Sequence, residues 1–127
     1  MIDALFNNSN YIAAKKLLDA SALRHEAIAS NLANVETPGY KRVDLSPTFD
    51  TQLKAAIESS DPSQLASVVP QLQVDPNAVS QSRDGNTVNL ESEMAQLQQN
   101  TLSHALETQL INYQMAHLRM AITGKSG

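Results

Sequence analysis

The sequence contains no cysteine and no tryptophan, and phenylalanine and tyrosine together leave the aromatic share at 4%. Without cysteine, disulfides and Cys-ligated zinc are excluded, and the redox compartment stays open. With so few aromatics, the 42% apolar share is largely alanine and short aliphatics, so any core is thin. Lys and Arg number only nine against thirteen acids, a net charge of -4. Nucleic-acid binding rests on neutralising phosphates, and this chain has no basic surface for it. No eighteen apolar residues run together, which removes a membrane-spanning helix. The first residues, MIDALFNNSN, carry an acid in place of a basic run and have no apolar h-region, so they do not read as a cleavable secretory signal. If the protein leaves the cytoplasm, another route is expected to take it. A chain of 127 residues is one domain at most.

What is present lies mainly at the two ends. From Ser9 to Val35 neither proline nor glycine interrupts the sequence, and alanine, leucine, lysine and glutamate favour one long helix, about 40 Å at 1.5 Å per residue. Steps of four and three from Ala14 give Leu18, Ser21, His25, Ile28, Leu32 and Val35, a heptad seam diluted by Ser21 and His25. The C-terminal series is stronger: Leu90, Met94, Leu97, Thr101, His104, Thr108, Ile111, Met115, Leu118 and Ile122. Beside it lies a second row, Leu102, Leu106, Leu110, Tyr113, Ala116 and Met120. A helix apolar over two adjoining faces needs two sets of neighbours, and the chain offers one other long helix. The remaining cover is expected from other molecules.

Punctuation supports these bounds. Asn89 reads as an N-cap with Glu91 and Glu93 in the first turn, Asp84-Gly85 as a turn, and Gly124, Lys125 and Gly127 as a stop. Phe49, Leu53, Ala56 and Ile57 suggest a short amphipathic middle helix. Residues 58–88, rich in Ser, Gln, Asp and Pro, read as a flexible connector, with Leu65 to Val74 hinting at strand. The expected architecture is mainly α: an antiparallel coiled-coil-like hairpin of the terminal helices, with a short middle helix and an irregular connector. Its segments are 1–36, the N-terminal axial helix; 37–57, the turn and short helix; 58–88, the connector; and 89–123, the C-terminal axial helix.

Chemistry is sparse. His25 and His104 fall on the two seams and could meet across an interface, while His117 stands apart, so no metal-ligand set can be named. Glu91 and Glu93 point to different helix faces, unsuited to paired acid/base work. Ser80, Ser82, Asp84, Gly85, Asn86 and Glu91 imitate a calcium loop, but its first position lacks the expected Asp and its ninth is Val88. Asn7-Asn8-Ser9 fits a glycosylation pattern that nothing else supports. No catalytic residue, metal, cofactor or small-molecule substrate is expected, and the chain is not expected to be an enzyme.

The segment SNLANVETPGYK is different. In Thr37-Pro38-Gly39-Tyr40, proline sets φ for the second position of a type II turn and glycine takes the positive φ of the third. Proline also pushes Thr37 out of the helical region, ending the helix near Val35 or Glu36. Tyr40-Lys41-Arg42 follows, an amphipathic aromatic and two cations suited to protein contacts. Ala29 to Arg42, ASNLANVETPGYKR, resembles the N-terminal signature of the bacterial flagellar rod and hook proteins, with Asn31, Ala33, Asn34, Thr37, Pro38, Gly39 and Tyr40 in the family's order. DGNTVNLESEMAQLQQNTL, Asp84 to Leu102, and the later HLRMAITG resemble the small proximal rod members. His104 departs from the aromatic residue, such as tyrosine, found in many of them.

The resemblance implies a structural subunit of the proximal rod of the flagellar basal body, exported unfolded through the flagellar type III apparatus without losing a signal peptide. It implies polymerisation in the periplasm through the terminal helices. Expected partners are further copies, other rod proteins, the rod-to-membrane-ring adaptor and the export apparatus. The signature turn would be Asn31, Asn34, Thr37, Pro38, Gly39 and Tyr40. Subunit contacts would come from Leu18, Ile28, Leu32, Val35, Leu97, Leu102, Leu106, Ile111, Tyr113, Met115, Leu118 and Met120. The isolated subunit is expected to be only partly ordered. The rival reading is a small helical adaptor or export chaperone that binds one partner helix in its groove; it leaves the Thr-Pro-Gly-Tyr corner unexplained.

Overall fold

A computed structural model describes residues 9–124. The glycosylation pattern at Asn7, the first eight residues of the N-terminal segment, and Lys125 and Gly127 of the expected stop lie outside the described residues. The unbroken stretch after Ser9 forms α1, Ser9–Ala33, and the C-terminal stretch forms α4, Leu90–Thr123. Asn89 caps α4 by accepting from the Ser92 N–H at 2.9 Å, and Gly124 ends it at φ +69°, where a left-handed residue costs glycine nothing. Between them lie β1, Val43–Leu45; α2, Thr48–Ser59; α3, Pro62–Ser67; and β2, Leu72–Val74.

The terminal helices pack against each other as an antiparallel hairpin, since Asn31 near the end of α1 reaches Glu93 near the start of α4 and Ser21 reaches Asn100 and His104. The middle helix forms where its apolar spacing places it, burying Phe49, Leu53 and Ala56. Ile57, counted with that face, is half exposed at 49%.

Residues 58–88, expected as an irregular connector, carry a helix and a strand. Asp61 accepts from the Ser63 N–H to start α3, with Pro62 in the first turn, where its missing N–H goes unused. That helix delivers Leu65, and its C-cap Val68, into the core. β2 then pairs antiparallel with β1, Val43 opposite Val74 and Leu45 opposite Leu72. The composition is polar because only these few apolar side chains turn fully inward; apart from buried Asn86, the rest are partly or wholly exposed.

One hydrophobic cluster holds this half of the molecule: Ala20, Leu45, Phe49, Leu53, Ala56, Leu65 and Val68, flanked by Ile12, Ala13, Leu17, Leu23 and Leu72. Among the described residues no side chain of α4 belongs to it. The α4 residues that are fully buried, Glu93 and Asn100, are both polar. They stand one position away from the Leu90, Met94, Leu97, Thr101 seam read from the sequence. Those two polar groups turn inward because each finds a buried partner on the other side, and the rotation leaves Leu90 and Met94 exposed at 52% and 44%.

Candidate functional site

Two surfaces carry the residues singled out in the sequence: the corner after α1, and the outward face of α4. At the corner, the Tyr40 N–H donates to the Thr37 carbonyl at 3.2 Å and Gly39 sits at φ +75°, the geometry of a type II turn. A Cβ on Gly39 would meet no atom within 4 Å, so the backbone angle alone calls for glycine. Thr37, Pro38 and Gly39 are exposed at the tip.

The signature asparagines hold the turn from within. Asn31 is fully buried; its Nδ2 donates to the Val43 carbonyl at 2.8 Å while its Oδ1 accepts from the Val43 N–H at 2.9 Å. The same oxygen accepts from the Tyr40 hydroxyl at 3.3 Å, and that hydroxyl lies 3.0 Å from Ser30 Oγ. Asn34 Nδ2 donates back to the Ser30 carbonyl and Asn34 Oδ1 accepts from the Thr37 hydroxyl. The Asn34 bond satisfies a carbonyl that the helix end otherwise leaves open, and the Asn31 pair satisfies both backbone groups of Val43 on β1.

The sequence reading assigned no part of this to residues 84–88, yet they complete the corner. Buried Asn86 shares its two amide hydrogens among the carbonyls of Asn34, Val35 and Thr37, at 2.8, 3.1 and 2.8 Å. The Thr87 N–H donates to the Tyr40 carbonyl, the Arg42 N–H donates to Thr87 Oγ1, and Lys41 Nζ donates to the Gly85 carbonyl. The turn foreseen at Asp84-Gly85 makes this possible, since Gly85 at φ +82° folds the strand of backbone onto the corner.

Arg42, read from the sequence with Tyr40 and Lys41 as an exposed group suited to contacts between proteins, turns inward instead. It is buried at 7% exposure and spreads its guanidinium over three carboxylates: Glu93 Oε1 at 2.6 Å from Nε, and Asp75 Oδ2 at 2.5 Å and Asp44 Oδ2 at 3.2 Å from Nη1. Nη2 donates to Gln96 Oε1 at 3.1 Å. Burial alone would lower the guanidinium pKa, but the bonds to Glu93 and Asp75 and the charges of Glu93 and Asp44 outweigh it and raise it further. Arg42 therefore stays charged. Asp75 is likewise opposed by burial, and the Asn77 N–H, Arg42 and the Ala78 N–H hold its carboxyl below the ordinary value. A cation beside Tyr40 and Lys41 gives no local sign of this, because the carboxylates that draw it inward lie 33 and 51 residues further along the chain.

The twelve expected contact residues divide. Ile28 is completely buried, and Leu18, Leu32, Val35, Leu97, Ile111, Met115 and Leu118 are partly covered. Leu102, Leu106, Tyr113 and Met120 lie on the outside of α4, with Leu102, Leu106 and Tyr113 at 61%, 58% and 66% exposure. Leu110 adds to the same surface. Of the histidines, His104 Nδ1 lies 3.2 Å from Ser21 Oγ, His25 faces solvent, and the His117 ring stacks on Tyr113. Among the described residues no three His, Cys, Asp or Glu side chains stand where a metal ion could be held.

Residues 18–41, from mid-α1 through the corner, match the family model described as Flagella basal body rod protein. The flagellar basal body rod protein FlgB of Borrelia hermsii is 32% identical over 123 residues, covering 84% of this chain and 87% of its own. Its counterpart in Cereibacter sphaeroides is 32% identical over 112 residues, 80% and 84% of the two chains. That of Aeromonas hydrophila is 28% identical over 122 residues, 85% and 88%. The family-model match ends at Lys41, so Tyr40 is inside it and Arg42 just beyond.

Proposed function

Because this chain belongs to the flagellar basal body rod protein family, which is structural and not enzymatic, we propose that it is a proximal-rod subunit that polymerises through its terminal helices and transmits torque. The observation that carries the reading is the outward row Leu102, Leu106, Leu110 and Tyr113, four large apolar or amphipathic side chains left uncovered along one face of α4. Exposed apolar side chains aligned over several helical turns mark a contact surface. The partly covered Leu97, Ile111, Met115 and Leu118 lie on the opposite side of α4, the side that also carries buried Glu93 and Asn100.

Subunits related by a screw operation meet through two different patches, so such contacts propagate as an open filament. In that filament the outer row of one subunit is covered by its neighbours, and torque passes through interlocked side chains. The corner of Asn31, Asn34, Thr37, Pro38, Gly39 and Tyr40 sets the angle at which β1 leaves α1, so its role in assembly is to orient the middle segment against the axial helices. Partners on this reading are further copies, other rod proteins, the rod-to-membrane-ring adaptor and the flagellar type III export apparatus. Export proceeds without a cleaved signal, and the rod is periplasmic.

A density map of an assembled rod resolving this chain tests the proposal. Side chains of adjacent subunits should cover Leu102, Leu106, Tyr113 and Met120. A map in which that row faces water, or a purified protein that forms a stable one-to-one complex with a single partner helix and never polymerises, would favour the adaptor reading instead.

A further inference from the structure

We propose that α4 is a detachable helix, and that Arg42 is the latch deciding whether it and residues 72–88 are docked. The inference rests on the packing within one chain and stands whether or not the chain forms a rod.

The two halves of the fold are held by different proportions of apolar and polar contact. α1, α2 and α3 share the hydrophobic cluster around Phe49, Leu53 and Leu65, to which α4 contributes nothing. The polar contacts of α4 with the rest are Glu93 on Arg42 and Asn31, Gln96 on Arg42, Asn100 on the Ser21 carbonyl, and His104 against Ser21 Oγ, while its inward apolar side chains, Leu97, Ile111 and Met115 among them, are only partly covered. Along the same edge Asn100 Oδ1 and Glu107 Oε2 are shut away from solvent with no hydrogen-bond partner among the described residues. Shutting such atoms away opposes docking. The apolar cluster favours its own closure whether α4 is present or not; the α4 seam, where the fully buried groups are polar and the apolar ones only partly covered, has less in reserve.

Within that seam Arg42 is decisive because it is shared. The charged groups facing it come from four elements or loops: Arg24 on α1, paired with Asp44 at 3.8 Å; Asp44 on β1; Asp75 just after β2; and Glu93 on α4. Removing Glu93 from a buried guanidinium leaves a charge short of its counterions, which the protein relieves by opening the site to water. Opening there also frees Asp75, whose backbone N–H donates to the Arg42 carbonyl, and Thr87, which bridges Arg42 and Tyr40. Hence the start of α4, β2 and residues 84–88 should open as one unit while the cluster beneath stays closed.

Native-state hydrogen exchange read by mass spectrometry on the full chain tests this. In the unaltered protein, peptides from α4 and residues 72–88 should exchange together and at least about tenfold faster than peptides from α2. Glu93→Gln should speed exchange in α4 and 72–88 by about tenfold or more and leave α2 unchanged. Asp75→Asn, which touches the cluster from the connector side only, should do the same to a smaller degree. Equal protection of α4 and α2 in the unaltered protein would overturn the proposal. So would variants that leave α4 exchange unchanged, or that lose α2 protection along with it.

Discussion

Asn31 joins Val43 as one strand joins another, giving an N–H to its carbonyl at 2.8 Å and taking its N–H at 2.9 Å. Because β1 pairs with β2 on its other edge, this one side chain closes the edge that would otherwise lie open. The asparagine amide has the donor and acceptor of a peptide group, and no other side chain of its length offers both in that geometry.

Asn31→Ala should therefore destabilise the fold by about 2–4 kcal/mol, since it strands a buried N–H and C=O together. Asn31→Asp should be worse. It keeps the acceptor but removes the donor and sets a carboxylate near Glu93 Oε2, which now lies 3.3 Å from Nδ2. Urea unfolding curves rank the two; aspartate milder than alanine would mean that the Val43 carbonyl bond matters little.

Gly39 separates angle from space. Nothing within 4 Å would meet a Cβ there, so any loss on substitution comes from φ +75°. Gly39→Val should cost about 1–3 kcal/mol and Gly39→Asn much less, because asparagine tolerates the left-handed region. Thermal unfolding of the pair should show that order, and swimming should fail in Gly39→Val while secretion of the subunit persists. Equal losses for both variants would shift the cause from the backbone to the tip's surface.

The corner and the helices were legible in the sequence for a local reason. Pro38-Gly39 dictates a turn, Asn89 a cap, and the spacing Phe49, Leu53, Ala56 a helix face, each within a few residues. The clamp by Asn86 and the burial of Arg42 were not, since they depend on which distant carbonyls and carboxylates the fold brings near. Nor was the rotation of α4. The heptad series beginning at Leu90 reads as a seam by hydrophobicity alone, whereas the fold turns Glu93 and Asn100 inward because Arg42 and the Ser21 carbonyl await them. Leu65 to Val74 hints at strand, but only Leu72–Val74 is one and Leu65 lies in a helix, because two inward side chains in a polar stretch are too few to show a helical period.

Acid should weaken the Arg42 cluster in a defined direction. Asp75 is held below its ordinary 3.8, so its contribution is fully present above that value and is lost as pH falls through the lower folded value. Asp61 and Asp84 are also held low, by the Ser63 and Asn86 bonds, and lose their contributions in the same range in any variant that keeps them. The difference in thermal midpoint between the unaltered protein and Asp75→Asn should accordingly be constant from about pH 7 to 5 and shrink as pH drops below 3.8. A difference that persists unchanged at the acid end would mean that Asp75 acts through shape and not charge.

The outward row of α4 offers a test in which stability and assembly part company. Leu102, Leu106 and Tyr113 are exposed, and glutamine keeps a helix propensity near that of leucine. Leu102→Gln, Leu106→Gln and Tyr113→Gln should thus each change the unfolding free energy of the isolated chain by no more than about 0.5 kcal/mol. Combined, they should abolish rod formation and swimming if neighbours cover that row. Leu97→Gln and Ile111→Gln serve as the contrast. Those side chains are partly covered within the chain, so their loss should lower stability on its own, by about 1–2 kcal/mol each. A triple glutamine variant that folds as before and still swims would show that the exposed row has no neighbour to meet, and that contacts along the partly covered face carry the assembly.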